Sequence, residues 1–205
     1  HDNRPLLLAL AGPNGAGKST LHQSLREQLT GAQLPPFINV DELTLHMGNI
    51  FPGLSKADDA GWAVANALRQ HFLQNGLSFT TEMLLSDAEG HRIGTLAQAH
   101  AGRHQFRTVL IYVTVASPDL AVARVMHRAA TGAHGFSADI VREHFARSHA
   151  ALPYALRVVD AAMVLDNSED CHTARSMKPL LHIVNGRLVK QWSDLPDHIA
   201  TVRDK

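Results

Sequence analysis

Two periods organise the apolar positions along the chain. Pro5-Leu6-Leu7-Leu8-Ala9-Leu10-Ala11 is a continuous apolar run, the pattern of a short strand buried on both faces. Leu21, Leu25 and Leu29 then recur every four residues, which predicts a helix. Phe37 to Val40 predicts a second strand, ending on Asp41-Glu42. The stretch from Leu43 to Lys56 carries Gly48, Pro52 and Gly53 and is expected to be a loop with a helical turn at most. Trp62, Ala65, Leu68, Phe72 and Leu73 form the stripe of a helix from about Ala57 to Asn75, stopped by Gly76. Leu77 to Met83 predicts a third strand, with Glu82 near its end.

The second half repeats this alternation. Asp87 is placed to cap a helix over about 88–101, and Arg107 to Val115 is the strongest strand pattern in the chain. Ser117-Pro118 starts a helix with proline at its first position, and Ser137 caps another. Between them, Thr131 to Phe136, with two glycines, has the composition of a closing lid. Ala161 to Leu165 predicts a fifth strand. Leu180 to Gln191 predicts a hairpin turned by Asn185-Gly186, with a short helix after Ser193. The expected fold is therefore α/β: a three-layer nucleotide-binding fold with a mostly parallel five-stranded sheet, helices on both faces and a C-terminal hairpin. One domain is expected over residues 1–205, its core over about 5–168 and the hairpin and last helix over about 180–202. In such a sheet the site lies at the carboxyl ends of the strands.

Composition narrows the partners. Lys+Arg and Asp+Glu are both 19, so the formal net charge is zero, against the basic footprint that nucleic-acid binding requires. No apolar run approaches the roughly 20 residues of a membrane span, so no membrane partner is expected. Cys171 is the single cysteine, which fits a reducing compartment, and a cytoplasmic location is expected. The 14 histidines are scattered and are expected mostly on the surface or on helices.

The chemistry starts at Gly12-Pro13-Asn14-Gly15-Ala16-Gly17-Lys18-Ser19-Thr20, which fits G-x-x-x-x-G-K-[ST] at every fixed position, with a strand before it and a helix after it. Glycines let backbone N–H groups curl round a phosphate, and the helix N-terminus adds further donors. All nine residues are read as ATP-binding. Lys18 is expected on the β- and γ-phosphates and Ser19 on Mg²⁺. Asp41 could accept a hydroxyl proton as the γ-phosphoryl group moves, hold Mg²⁺ through water, or cap a helix. Glu82 ends an otherwise apolar strand, where packing does not account for an acid; it could contact the acceptor, lie near Mg²⁺ or form a salt bridge. Arg124 and Arg128, four apart on one helix face, suit a clamp on the transferring phosphoryl group, with Arg142 and Arg147 on the next helix able to close from the other side. His134, in the glycine-containing segment, could contact phosphate. The strand from Arg107 to Val115 ends without an acid, which disfavours GTPase switches and motor ATPases and favours a small kinase.

These stretches together resemble the zeta-toxin family of phosphate-loop kinases. The resemblance rests on residues 12–20, Ile38-Asn39-Val40-Asp41-Glu42, Ser78-Phe79-Thr80-Thr81-Glu82 with Leu85-Ser86, Arg124-Val125-x-x-Arg128, Thr131-Gly132-Ala133-His134 with Phe145-x-Arg147-Ser148, and Leu165-Asp166-Asn167-Ser168. It implies ATP-dependent phosphorylation of the 3′-OH on the amino sugar of UDP-N-acetylglucosamine or a related nucleotide sugar, with toxicity through the cell wall and a separate peptide antitoxin as partner. By position Asp41 resembles the family's base, Lys18 its phosphate lysine, Glu82 its acceptor-contacting acid and Arg124 its phosphate-stabilising arginine. The chain departs from the family on the acceptor side. Met83 stands where a threonine is common, so Thr80 or Thr81 is expected to take over that contact, and Asn66 stands where the family has an acid. Ala133 replaces the second glycine of the lid, and His144 stands for an arginine. Expected acceptor-binding residues are Glu82, Thr81, Asn66, His134 and Arg147. Other readings are a kinase for a nucleotide, NAD, an antibiotic or a polynucleotide 5′-OH, and a binding module without turnover.

Overall fold

The chain alternates strand and helix through its first five strands, and a computed structural model places them as one sheet. The structure describes residues 3–28, 34–51, 57–85, 91–130, 135–169 and 177–200. The expected cap Asp87, the lid residues Thr131 to His134, and Cys171 lie outside the described residues. The elements are β1 (Leu6–Ala11), α1 (Lys18–Gln28), β2 (Phe37–Ile38), α2 (Val40–Ile50), α3 (Ala57–Asn75), β3 (Phe79–Met83) and α4 (His91–Ala101). They continue with β4 (Arg107–Thr114), α5 (Pro118–Ala130), α6 (Ala138–Arg157), β5 (Ala161–Asp166), β6 (Lys178–Val184), β7 (Arg187–Gln191) and α7 (Asp197–Ala200).

The sheet has seven strands in the order β2-β3-β1-β4-β5-β6-β7. The first five run parallel, and β6 and β7 add antiparallel at the β5 edge. The expected hairpin is thus part of the sheet, and the five-stranded expectation grows to a mixed seven-stranded one. Asn185 and Gly186 turn it with φ of 49° and 70°, the left-handed pair of a type I′ turn.

The period-2 rule explains the layers. Along β1, Leu7, Ala9 and Ala11 face a core shared with Ala65 of α3, Leu96 and Ala99 of α4 and Leu152 of α6. Leu8 and Leu10 face the other way, onto Leu21 of α1. Helices therefore cover both faces. Ser137 caps α6 as expected, accepting from the Ile140 N–H. Gly76 ends α3 at φ 63°, and the Leu77 N–H returns to the Phe72 carbonyl at 3.0 Å in a Schellman closure.

One expectation fails outright. The segment after β2 is a helix, α2, from Val40 to Ile50, where a loop was expected from Leu43. Gly48 sits inside it on an open surface, a position a helix tolerates at a cost of about 1 kcal/mol. α2 buries no residue fully, so its apolar signal is weak; it packs against α3. Asn39, not Asp41, is its N-cap.

Candidate active site

The carboxyl ends of β1, β2 and β3 and the N-termini of α1 and α2 meet at a cavity of about 1020 Å³. The phosphate loop forms its floor. Gly12 has φ 140° and Gly17 has φ 101°, and a Cβ would run into the Val113 carbonyl at the first and the Asn167 side chain at the second. Lys18 is the first residue of α1 and is buried. Its ammonium folds back over the loop, donating to the Gly12 and Pro13 carbonyls at 3.0 and 3.1 Å. From outside, the Asn167 Nδ2 donates to the Ala16 carbonyl at 2.8 Å and pins the loop to the end of β5. Asn167 belongs to a sequence stretch quoted above, but its part in bracing the loop was missed. Only the three-dimensional proximity of β5 to the loop discloses it.

An acidic wall stands beside the floor. Glu82 Oε1 lies 3.5 Å from Lys18 Nζ, and Oε2 accepts from the Ser19 hydroxyl at 3.4 Å and from Asn39 Nδ2 at 2.9 Å. The acid at the end of β3 is thus held by three groups from two neighbouring elements. Asn39 uses its other amide atom to cap α2, accepting from the Asp41 and Glu42 N–H groups at 2.8 and 3.3 Å. Asp41, in the first turn of α2, is exposed and lines the cavity. Ser19 and Glu82 offer a hydroxyl and a carboxylate, hard oxygen donors of the kind that suit Mg²⁺ beside a bound phosphate. Among the described residues no three His, Cys, Asp or Glu side chains group as a metal cluster.

The adjoining wall comes from α3. Trp62, Asn66 and Arg69 line the cavity from three successive turns. Arg69 is buried among polar partners: Nε donates to Thr81 Oγ1 at 2.9 Å, Nη1 to Asn66 Oδ1 at 3.0 Å and Nη2 to the Glu82 carbonyl at 3.3 Å. Thr81 is fully buried behind this wall, its hydroxyl 3.2 Å from the Ile38 carbonyl, and does not line the cavity. Sequence reasoning passed over Arg69, since a polar residue in an amphipathic helix reads as solvent-facing.

The arginines divide. Arg124 lines the cavity and spans from α5 to the end of β5, donating to the Asn167 and Glu169 carbonyls at 2.7 and 3.1 Å. Arg128, one turn on, and Arg147 of α6 also line the cavity. Arg147 pairs with Glu143 on its own helix. Arg142 instead pairs with Asp119 at 3.1 Å and Asp139 at 3.7 Å, and is not among the lining residues. His134 lies outside the described residues.

Comparison with known proteins gives the same outline. The Zeta toxin family profile matches residues 1–176. No curated protein matches the chain. Among solved structures, the PezAT chromosomal toxin–antitoxin system of Streptococcus pneumoniae aligns at 14% identity over 98% of this chain and 85% of that one, with a TM-score of 0.59. A candidate kinase from Chloroflexus aurantiacus aligns at 21% identity over 68% of this chain and 79% of that one, TM-score 0.52. The Pnkp1/Rnl/Hen1 RNA repair complex aligns at 13% identity over 75% and 47%, TM-score 0.53. At these identities the likeness is one of fold.

Proposed function

Since the chain belongs to the zeta-toxin family, we propose that it is an ATP-dependent kinase that phosphorylates a sugar hydroxyl of a UDP-amino sugar, with the 3′-OH of UDP-N-acetylglucosamine as the first acceptor. The observation that carries this reading is the convergence of Lys18, Ser19, Glu82 and Asp41 on one cavity, phosphate floor and acidic wall together. The loop N–H groups and Lys18 take the β- and γ-phosphates. Mg²⁺, held by Ser19 and the phosphates with Glu82 close by, would neutralise charge on the phosphate oxygens. Asp41 takes the acceptor's proton as its hydroxyl oxygen bonds to the γ-phosphorus. The bond from that phosphorus to the β–γ bridging oxygen breaks, and ADP leaves with the electron pair. Arg124 and Arg128 face the charge that spreads over the transferring group, with His134 and Arg147 as further contacts. Glu82 and Asn66 hold the acceptor. A kinase fed by ATP in this way works in the cytoplasm. A separate peptide antitoxin fits the reading, as PezAT is itself a toxin–antitoxin system. Among the described residues no helix is long and apolar enough to cross a membrane.

Transfer of labelled γ-phosphate from Mg·ATP to a panel of acceptors tests the reading: UDP-N-acetylglucosamine, UDP-N-acetylgalactosamine, NAD, nucleosides and a 5′-OH oligonucleotide. Label should enter the UDP-amino sugars. Asp41→Asn should cut kcat by about 10²–10⁴-fold with ATP affinity retained, and Lys18→Ala should abolish transfer. Label on another acceptor alone would keep the kinase and discard the nucleotide sugar. A loss below tenfold in Asp41→Asn would remove Asp41 as the base.

A further inference from the structure

The contacts of Arg69 fix something the cavity outline alone does not. A guanidinium can only donate, so the Asn66 atom 3.0 Å from Nη1 is the amide oxygen. The orientation of that amide is therefore set by chemistry, where an isolated Asn would leave it ambiguous. Asn66 Nδ2, with two hydrogens to give, is left for the cavity that Asn66 lines, and no described residue accepts from it. The same guanidinium holds the backbone carbonyl of Glu82 at 3.3 Å and the Thr81 hydroxyl at 2.9 Å. One buried residue on α3 thus fixes both a donor, the Asn66 amide, and the strand end that carries an acceptor, the Glu82 carboxylate. A buried Arg is rare without partners of this kind, and each of its three nitrogens has one here.

We propose that Arg69 is a positioning residue and that Asn66 is the donor half of a donor–acceptor pair selecting the phosphoryl acceptor. The molecule that fits presents a hydroxyl to Glu82 and, beside it, a lone-pair oxygen to Asn66: the carbonyl of an acylamino group, an ether oxygen or a second hydroxyl on a sugar. A primary ammonium in that place meets two hydrogens and is rejected. This rests on the kinase reading above, and it assigns Asn66 a chemical preference that reading leaves open.

Three variants separate the parts. Asn66→Asp keeps an oxygen for Arg69 but removes the donor. Asn66→Leu leaves Nη1 without its acceptor. Arg69→Lys keeps the charge but loses the planar fork. Melting temperature and the separate KM values for ATP and for UDP-N-acetylglucosamine are measured on each. Asn66→Asp should melt no lower than the unaltered protein while Asn66→Leu melts several degrees lower, as follows from about 2–4 °C per kcal/mol in a domain of this size. Asn66→Asp should raise the acceptor KM by about tenfold or more, a missing hydrogen bond leaving the substrate oxygen unpaired. Its ATP KM should stay within twofold. Arg69→Lys should lower acceptor kcat/KM with ATP KM unchanged. Asn66→Leu melting with the unaltered protein would overturn the positioning role, and an acceptor KM within twofold in Asn66→Asp would overturn the donor role. If the unaltered protein labels no acceptor, the kinase reading falls and the donor role with it, while the melting comparison still decides whether Arg69 holds Asn66.

Discussion

Asn39 joins two functions in one amide. Its oxygen caps α2, which carries Asp41, and its nitrogen holds Glu82. Asn39→Ala removes both. A lost N-cap costs about 0.5–2 kcal/mol, so thermal unfolding should fall by several degrees at about 2–4 °C per kcal/mol. Phosphoryl transfer should fall as well, because Asp41 and Glu82 lose a common anchor. An unchanged melting point would show that α2 holds without its cap. The residue was visible in the sequence, within the run from Ile38 to Glu42, and asparagine is a strong capping type. The three breakers that follow it hid the helix: Gly48 lies within α2, while Pro52 and Gly53 lie beyond its end. The phosphate loop, by contrast, was legible because its spacing is dictated by phosphate geometry alone and needs no distant partner.

Helix α6 carries a buried titratable group outside the cavity. His149 Nδ1 donates to the Phe145 carbonyl at 2.7 Å, so its Nε2 accepts from the Thr114 hydroxyl at 2.8 Å, and Thr114 lies 3.3 Å from His198 of α7. Burial pushes the His149 ring down to about 4; the Phe145 contact opposes this and the nearby His198 adds to it. Burial lowers His198 too, against the raising charges of Asp166 and Asp197. The unfolded chain, with an ordinary histidine near 6.5, binds the proton more readily than the folded one. The contribution of His149 is therefore fully present above about pH 6.5 and is lost as pH falls towards 4, up to about 3 kcal/mol. Melting temperature should drop between pH 7 and 5, and His149→Phe should flatten much of that slope. An unaltered slope would place the acid sensitivity elsewhere. The scattered histidines were expected mostly on the surface or on helices. His22 and His149 are both on helices, yet buried: His22 stacks on Phe37 with ring centroids 3.5 Å apart, and the His149 ring, its two nitrogens bonded, packs like an aromatic one. Only the meeting of β4, α6 and α7 reveals which.

Taken whole, the parallel strands were the most legible part, because strand–helix alternation with buried apolar runs has few other solutions. The joining of the hairpin to β5 was not legible. Period 2 tells which face of β6 is buried but names no neighbour, and the β5–β6 register even shifts between Val164 and Leu165. That joining leaves a sheet with unequal rims. At one end β2 is two residues long, and at the other β7 is five. β7 exposes Leu188 and Val189 at 54% and 59%, set between Arg187 and Lys190, with the Lys190 ammonium 4.8 Å from the centre of the Trp192 ring. A long rim of unspent backbone donors is where a second chain adds a strand, and lysine or arginine there keeps copies apart by like charge. Replacing both Arg187 and Lys190 by threonine should raise light scattering during refolding, most clearly at low salt, where the like-charge repulsion is unscreened. Equal turbidity would mean that colloidal behaviour is governed elsewhere. The strands that enlarge the sheet also create its one long sticky margin among the described residues, and two cations are its guard.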